Sequence, residues 1–145
     1  MYQHILIATD GSELSGKAVH AGIDLARRLG AKVTLFTSSP DFRIFETESS
    51  LVAVSREGYA SECERRADIR FAMGETYAKS HGVQSDTVHV FAEHPYEAII
   101  KAVDKNQCDL VVMASHGRSG VAGLLLGSET TKVLTHSKVP VLVCR

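Results

Sequence analysis

Residue types that bind phosphate are concentrated in one stretch of the chain, residues 114–130. Four glycines fall within eleven residues there, and glycines let backbone N–H groups approach an anion without obstruction from a side chain. The stretch also holds an arginine that can pair with a phosphate, and the helix that begins at its end opens with two hydroxyl donors. The residues concerned are Gly117, Arg118, Gly120, Gly123, Gly127, Ser128 and Thr130. Their composition predicts a phosphate-binding loop, with a flexible surface loop as the alternative.

Two well-known phosphate-binding motifs are absent from the sequence. A Walker A loop needs a lysine directly before its final serine or threonine, and no lysine precedes Ser128. The dinucleotide fingerprint needs three glycines after the first strand, and residues 10–13 hold only Gly11. If the glycines form only a surface loop, Ser128 serves as the N-cap of the next helix.

The elements that must position this loop alternate along the chain. Short apolar runs predict strands, and apolar residues at spacings of three and four predict helices. Ser12 and Gly30 are suited to begin and end the first helix. We expect a loop over residues 38–50 and one or two helices over 51–81, with Gly58 and Gly74 as weak points. The five predicted strands fall at residues 5–8, 32–37, 85–91, 109–114 and 139–144. The remaining predicted helices fall at residues 13–29, 96–104 and 128–136.

This alternation predicts one α/β domain over residues 1–145, a doubly wound, five-stranded parallel sheet with helices on both faces. Such sheets bind ligands at the carboxyl ends of their strands, where the strand order reverses. Three segments follow strand ends: residues 8–10, Ser38, and residues 114–128. We expect them to meet at one edge of the sheet.

Charge and composition exclude several classes of partner. Lysine and arginine number 16 against 17 aspartate and glutamate, a net charge of −1, which gives no reason to expect nucleic acid or an anionic membrane as a partner. No apolar run is long enough to span a bilayer, and residues 1–10 lack a secretory signal, so a cytoplasmic protein is expected. Cys63, Cys108 and Cys144 are far apart and are expected to be reduced thiols.

Three separated segments together resemble the universal stress protein family. They are residues 5–12, residues 112–128 and residues 139–143. The ATP-binding branch of that family carries the motif G-x2-G-x9-G-[S/T], which Gly117, Gly127 and Ser128 match with the required nine intervening residues. Ala114 replaces the first glycine of the motif, and its methyl group is tolerable where φ is negative.

The resemblance implies a Rossmann-like fold, similar to adenine nucleotide alpha hydrolases, with strand order 3-2-1-4-5. It places Asp10 at the ribose or at a phosphate-bound Mg²⁺, although Asp10 also suits a simple turn before Gly11. The Ser38 backbone would bind the adenine edge, and Met113 would pack near the base or serve only as a core residue. The resemblance implies thirteen nucleotide-binding residues: Ala8, Thr9, Asp10, Ser38, Met113, Ala114, His116, Gly117, Arg118, Gly127, Ser128, Glu129 and Thr130. Among them, His116 either braces the loop or touches the ligand.

The resemblance also implies a function: a stress-response regulator that binds ATP, ADP or AMP, with or without Mg²⁺, and acts through nucleotide-dependent contacts between partners. It implies a homodimer formed through the last strand, Val139–Cys144, which is apolar and would otherwise leave an exposed edge. Two alternatives stay open. One is a slow ATPase or phosphotransferase that uses Asp10 or Glu129 as base, and the other is a dimeric scaffold without a ligand.

Overall fold

The computed structural model describes residues 1–44, 55–118 and 125–145. In these ranges five strands form one parallel sheet in the order β3-β2-β1-β4-β5. The predicted architecture and strand order are therefore confirmed. The strands are β1 (His4–Ala8), β2 (Lys32–Ser39), β3 (Ser85–Phe91), β4 (Leu110–Ala114) and β5 (Val141–Cys144).

In the same described ranges, the two faces of the sheet are covered by four helices. They are α1 (Glu13–Leu29), α2 (Arg56–Ser80), α3 (Pro95–Asn106) and α4 (Ser128–His136). Alternate residues of β1 separate the two cores, because successive side chains of a strand point to opposite faces. Ile5 and Ile7 pack with α1 and α2. Leu6 and Ala8 pack with α3 and α4. In the described part of the chain, no helix is long and apolar enough to cross a membrane.

The position of β1 at the centre of the sheet creates the crevice that a ligand needs. It pairs with β2 on one side and with β4 on the other. The chain moves outward from β1 to β2 and β3, then returns to the other side of β1 for β4 and β5. The connections after β1 and β4 consequently diverge, and the gap between them opens at the carboxyl ends of these two strands.

The prediction of weak points in the second helix is wrong. Residues 56–80 form one uninterrupted helix, while residues 51–54 lie outside the described residues. Gly58 lies in its first turn and donates its amide to the Ser55 hydroxyl at 3.0 Å. A Cβ on Gly74 would lie 2.8 Å from Leu35 Cδ1, so this glycine lets α2 approach the sheet closely. Close packing, not chain flexibility, explains the glycine at position 74.

The ends of β2 and β5 differ from the prediction, and so does the N-cap that the surface-loop alternative gave to α4, although α4 itself spans the predicted residues 128–136. Strand β2 continues through Ser38 and Ser39 instead of ending at residue 37. Strand β5 begins at Val141 instead of Val139, because the Ser137 hydroxyl accepts the Val139 amide at 3.2 Å and donates to the Val139 carbonyl at 2.7 Å. Pro140 has no N–H to contribute to a ladder. The N-cap of α4 is Gly127, and Ser128 is its first helical residue.

Candidate functional site

A cavity of about 510 Å³ lies at the carboxyl ends of β1, β2 and β4, against the N-terminus of α4. All thirteen residues of the predicted nucleotide-binding set line it, although they come from three distant parts of the sequence. Sequence reasoning missed six further lining residues: Ser15, Phe36, Thr37, Arg70, Pro95 and Ile99. The volume is in the range of small-molecule and cofactor sites.

One side of the cavity is apolar. Phe36, Ile99 and Met113 belong to the core on the α3 and α4 face of the sheet, and each also contributes to the cavity wall. Met113 is only 7% exposed, so it is a core residue and a lining residue at once. Pro95 begins α3 at the same wall. This side can hold a flat apolar ring by burying its surface.

The backbone of Ser38 is available at the same end of the cavity. In a parallel sheet, alternate residues direct their amide and carbonyl groups to the same neighbouring strand. Phe36 faces β1, because its carbonyl accepts the Thr9 amide at 2.8 Å. Ser39 faces β3, because its carbonyl accepts the Ala92 amide at 3.0 Å. The Ser38 amide and carbonyl therefore point toward β1 beyond the residue where β1 ends, in the direction of the cavity.

Asp10 is fixed at the polar side of the cavity. Its Oδ1 accepts the Ser12 amide at 2.9 Å and its Oδ2 accepts the Arg118 amide at 2.8 Å. Burial raises the pKa of Asp10, but the hydrogen bonds from Ser12, Ser15 and Arg118 outweigh it and hold that pKa below its ordinary value. The carboxylate thus forms the turn before Gly11 and also joins the end of β1 to the loop after β4.

The loop after β4 is held tightly where the structure describes it. A Cβ on Gly117 would lie 2.9 Å from Asp10 Oδ2, so a larger residue at this position would have to displace the carboxylate. The Gly127 amide donates to the Ser115 carbonyl at 2.6 Å, which closes the loop. Ala114 is buried at the end of β4. Gly120 and Gly123, which the sequence also predicts in this loop, lie outside the described residues.

The N-terminus of α4 lies in the cavity wall without a side-chain cap. Its N-cap is Gly127, and among the described residues no side chain accepts a hydrogen bond from its first amides. Four N–H groups at the start of any helix lack a partner within the helix, and the helix dipole adds a partial positive charge there. The backbone N–H groups at Ser128, Glu129 and Thr130 therefore offer donors of the kind that suit an anion.

The side chains of two predicted residues on α4 already have partners in the protein. Thr130 donates its hydroxyl to the Ala114 carbonyl at 3.0 Å in a buried hydrogen bond. Glu129 Oε2 accepts the Tyr96 amide at 2.9 Å and so caps the N-terminus of α3. Both side chains connect α4 to neighbouring elements, whereas Ser128, which also lines the cavity, has no hydrogen bond from its hydroxyl to the described residues.

His116 lies between the loop and the start of α4. Its Nδ1 is 3.2 Å from the Ser115 hydroxyl. A Cβ on Gly127 would come within 3.1 Å of His116 Cα. These contacts support the interpretation that His116 braces the loop, although its half-buried side chain also lines the cavity.

Arg70 of α2 is the functional group that sequence reasoning missed. Its Nη1 donates to Thr37 Oγ1 at 3.1 Å, and the side chain lines the cavity. Burial, together with the charge of Arg118, lowers the pKa of Arg70. One signal was present in the sequence: Arg70 shares a helix face with the buried residues Ala67 and Gly74. A charged residue on a buried face usually has a specific partner.

Carboxylates and histidines do not assemble into a metal site within the described ranges, where no group of three or more metal-ligating side chains occurs. Asp10 is the one carboxylate of the predicted set that lies beside the loop. Any cation here would need further oxygen ligands from a bound molecule.

Comparisons with known proteins agree with this fold. The model of the universal stress protein family matches residues 1–145. Universal stress protein YxiE of Bacillus subtilis is 27% identical over 149 residues, an alignment that covers all of both chains. A universal stress protein solved in complex with cAMP is 24% identical with a TM-score of 0.70, covering 98% of this chain and 95% of that one. A universal stress protein of Archaeoglobus fulgidus, in complex with dAMP, is 16% identical with a TM-score of 0.69, covering 99% and 98%.

The fold and the cavity define a doubly wound α/β protein with a cavity at the switch point of its sheet. The chain belongs to the universal stress protein family, whose model it matches from its first residue to its last.

Proposed function

We propose that this protein binds an adenine nucleotide, ATP or its products ADP and AMP, in the cavity at the carboxyl ends of β1, β2 and β4. Occupancy of the site would regulate contacts with a second copy or another protein during stress. The observation that carries the proposal is the uncapped N-terminus of α4 in the cavity wall, directly after the Gly127-Ser128 end of the glycine motif.

The division of the cavity into two sides supports this ligand. The apolar wall of Phe36, Ile99 and Met113 suits a purine ring, and the Ser38 backbone lies at the strand end where it can bond the ring edge. The opposite side offers helix amides, the Ser128 hydroxyl and Arg118, which suit phosphates. Asp10, between them, is ionised and suits ribose hydroxyls.

Two relatives of the same fold support an adenine ligand, since one was solved with cAMP and another with dAMP. Both ligands combine an adenine ring with a single phosphate. Ala114 at the first motif glycine does not argue against the proposal, because its carbonyl is anchored by Thr130 at the end of a regular strand. The methyl group there follows ordinary strand geometry.

The arrangement favours holding phosphates over cleaving them. Phosphoryl transfer to water needs a residue that orients or deprotonates the water. The pKa of Asp10 is lowered, which makes it a weak base, and both its oxygens accept backbone amides. Glu129 caps α3 and pairs with Lys132 at 3.3 Å. A Mg²⁺ ion would enter with the nucleotide, held by phosphate oxygens, with Asp10 as its protein ligand.

The proposed route of communication is a homodimer through the last strand. Strand β5 pairs with β4 on one side only, and its Leu142 side chain is 42% exposed. An apolar edge strand of this kind favours pairing with another strand. We expect a dimer by light scattering, and a monomer for Leu142→Lys, whose charge would have to be buried in the interface.

The binding proposal is tested on protein purified from cells. Denatured protein run on ion exchange should release an adenine nucleotide, and calorimetry on emptied protein should show binding of ATP, ADP or AMP. Protein that releases no nucleotide and gives no heat with any of the three would contradict the proposal and leave the dimeric scaffold as the remaining interpretation. Release of phosphate from ATP that disappears in Asp10→Ala would instead support the alternative of a slow ATPase or phosphotransferase.

A further inference from the structure

We propose that Arg70 and Arg118 form a two-arginine phosphate clamp, and that this clamp makes the cavity select phosphorylated adenosine over uncharged or cationic adenosine derivatives. The inference rests on the proposed function for the adenosine part of the ligand. It adds a contact from α2, outside the glycine motif, and a specificity that follows from charge.

The two arginines meet over Gly11, at the polar side of the cavity. A Cβ built on Gly11 would lie 2.9 Å from Arg70 Cγ and 3.1 Å from Arg118 Nη2. Gly11 has a φ of +78°, which favours glycine, and its missing side chain leaves room for the aliphatic stem of Arg70 and for the guanidinium group of Arg118. The turn after β1 therefore brings together one cation from α2 and one from the loop after β4.

The carboxylates that the structure describes do not balance the two arginine charges at this point. Within the ranges that the structure describes, no carboxylate lies within ion-pair distance, 4.0 Å, of either arginine. Asp10 is near, but its oxygens already accept the Ser12 and Arg118 amides. Among the described residues, these two guanidinium groups and one carboxylate leave a net positive charge. Solvent screens the charge of half-buried Arg70 less than that of exposed Arg118.

A bound phosphate resolves this imbalance. It would accept hydrogen bonds from both guanidinium groups, and charge-assisted bonds of this kind are stronger than neutral ones. The Thr37 hydroxyl holds Arg70 at 3.1 Å, so part of the entropy cost of ordering the long side chain is met before binding. Because α2 and α4 pack on opposite faces of the sheet, the clamp and the α4 N-terminus approach the ligand from different sides.

The test is a set of calorimetric titrations with ATP, AMP and adenosine at low and moderate salt. We compare the wild-type protein, Arg70→Gln and Arg65→Gln. Arg65 is the matched control, because it lies on the same helix but is exposed and paired with Glu62 at 2.8 Å. Arg70→Gln should weaken ATP binding about tenfold, the loss of one charge-assisted bond, and reduce its salt dependence. Adenosine affinity should change less than about twofold, and Arg65→Gln should match the wild type.

Equal ATP affinity in Arg70→Gln and the wild type would overturn the clamp. So would an equal loss of ATP and adenosine binding, which would mean that Arg70 only supports the structure through Thr37. Pyrophosphate separates this inference from the proposed function. If the wild type binds no adenine compound but is stabilised by pyrophosphate, and Arg70→Gln is not, the clamp stands and the proposed nucleotide function fails. If the responses to pyrophosphate and to nucleotide do not depend on Arg70, the clamp is contradicted.

Discussion

The N-termini of α1 and α4 lie at the same edge of the sheet, yet they are built in opposite ways. Helix α1 is closed by its own sequence: the Ser12 hydroxyl accepts the Ser15 amide at 3.2 Å, and Asp10 accepts the Ser12 amide. Helix α4 begins at Gly127 with no side-chain cap, and its first residues line the cavity. One helix end is completed within the protein, and the other is left for a ligand.

The difference separates two effects: the position in the sheet places both helix ends at the ligand edge, and the local sequence determines whether each end is capped. Both helices follow a central strand, so both carry a partial positive charge at the ligand edge. At α1 that charge is met by Asp10 and Ser12, which stabilises the fold. At α4 the glycine N-cap supplies no such partner, and Arg118 and Arg70 add further positive charge nearby. We expect changes at α4 to affect binding and changes at α1 to affect stability.

The largest effect is expected from Gly127→Val. Its Cβ would lie 3.1 Å from His116 Cα and 3.4 Å from the Ser115 carbonyl, so the branched side chain crowds the loop and blocks the α4 amides. Nucleotide affinity should fall by about a hundredfold or more, measured by calorimetry. Gly16→Ala on α1 is the control, since its Cβ would make only an ordinary 3.5 Å contact with Met73. Unchanged affinity in folded Gly127→Val would show that α4 does not bind the phosphates.

Ser128→Ala should have a smaller and more specific effect. The variant keeps the α4 amides and removes a hydroxyl of a cavity-lining residue that has no hydrogen-bond partner among the described residues. We expect about a tenfold loss in ATP affinity, the size of one hydrogen bond to a charged group, with the melting temperature of the empty protein unchanged. A fall in the stability of the empty protein, with affinity retained, would mean that Ser128 serves the helix instead of the ligand.

Ser12→Ala should show the reverse pattern. Loss of the cap that accepts the Ser15 amide should lower the free energy of unfolding by about 1 kcal/mol, as for other serine N-caps. Nucleotide affinity should stay within about twofold, because the cavity wall keeps its groups. Denaturant unfolding and calorimetry on the same samples measure both quantities. If Ser12→Ala weakens binding more than Ser128→Ala does, the division between the two helix ends is wrong.

The smallest effect concerns acid stability at the α1 end. The folded pKa of Asp10 is below its ordinary value of 3.8, so the unfolded chain takes up the proton first as the pH falls. The stability that Asp10 contributes is therefore present above about pH 4 and is lost below it. Asp10→Asn should flatten the fall in melting temperature between about pH 4 and pH 2. Parallel curves for the variant and the wild type would count against this role.

Much of the fold could be predicted because its signals are local. The helix α1 has its N-cap and terminal glycine at Ser12 and Gly30, and the buried strands are short apolar runs. The cavity wall was also predictable, since the motif after β4 and the ends of β1 and β2 must meet at one edge of a doubly wound sheet. Tertiary contacts could not be predicted in this way. Gly74 allows close packing against Leu35, but in a helical sequence pattern such a glycine looks the same as one that breaks the helix.

The missed parts of the site have the same physical origin. Arg70 lies on a long helix of mostly polar residues, and only the packing of α2 over the sheet brings it to Thr37 and Gly11. Glu129 is at the start of a helix, where local rules suggest a role with its own dipole, but its carboxylate caps α3 instead. Both contacts join elements far apart in sequence, and no spacing rule encodes them.

The most direct test of the account is a map of backbone amide chemical shifts by NMR as ATP is added to the emptied protein. If the nucleotide binds at the N-terminus of α4, the amides of Ser128, Glu129 and Thr130 should show large shifts, because no side chain among the described residues caps them. Small shifts are predicted for Ser15 and the following residues of α1, whose end is already closed. Shifts confined to α1, or no saturable shifts at α4, would contradict the account.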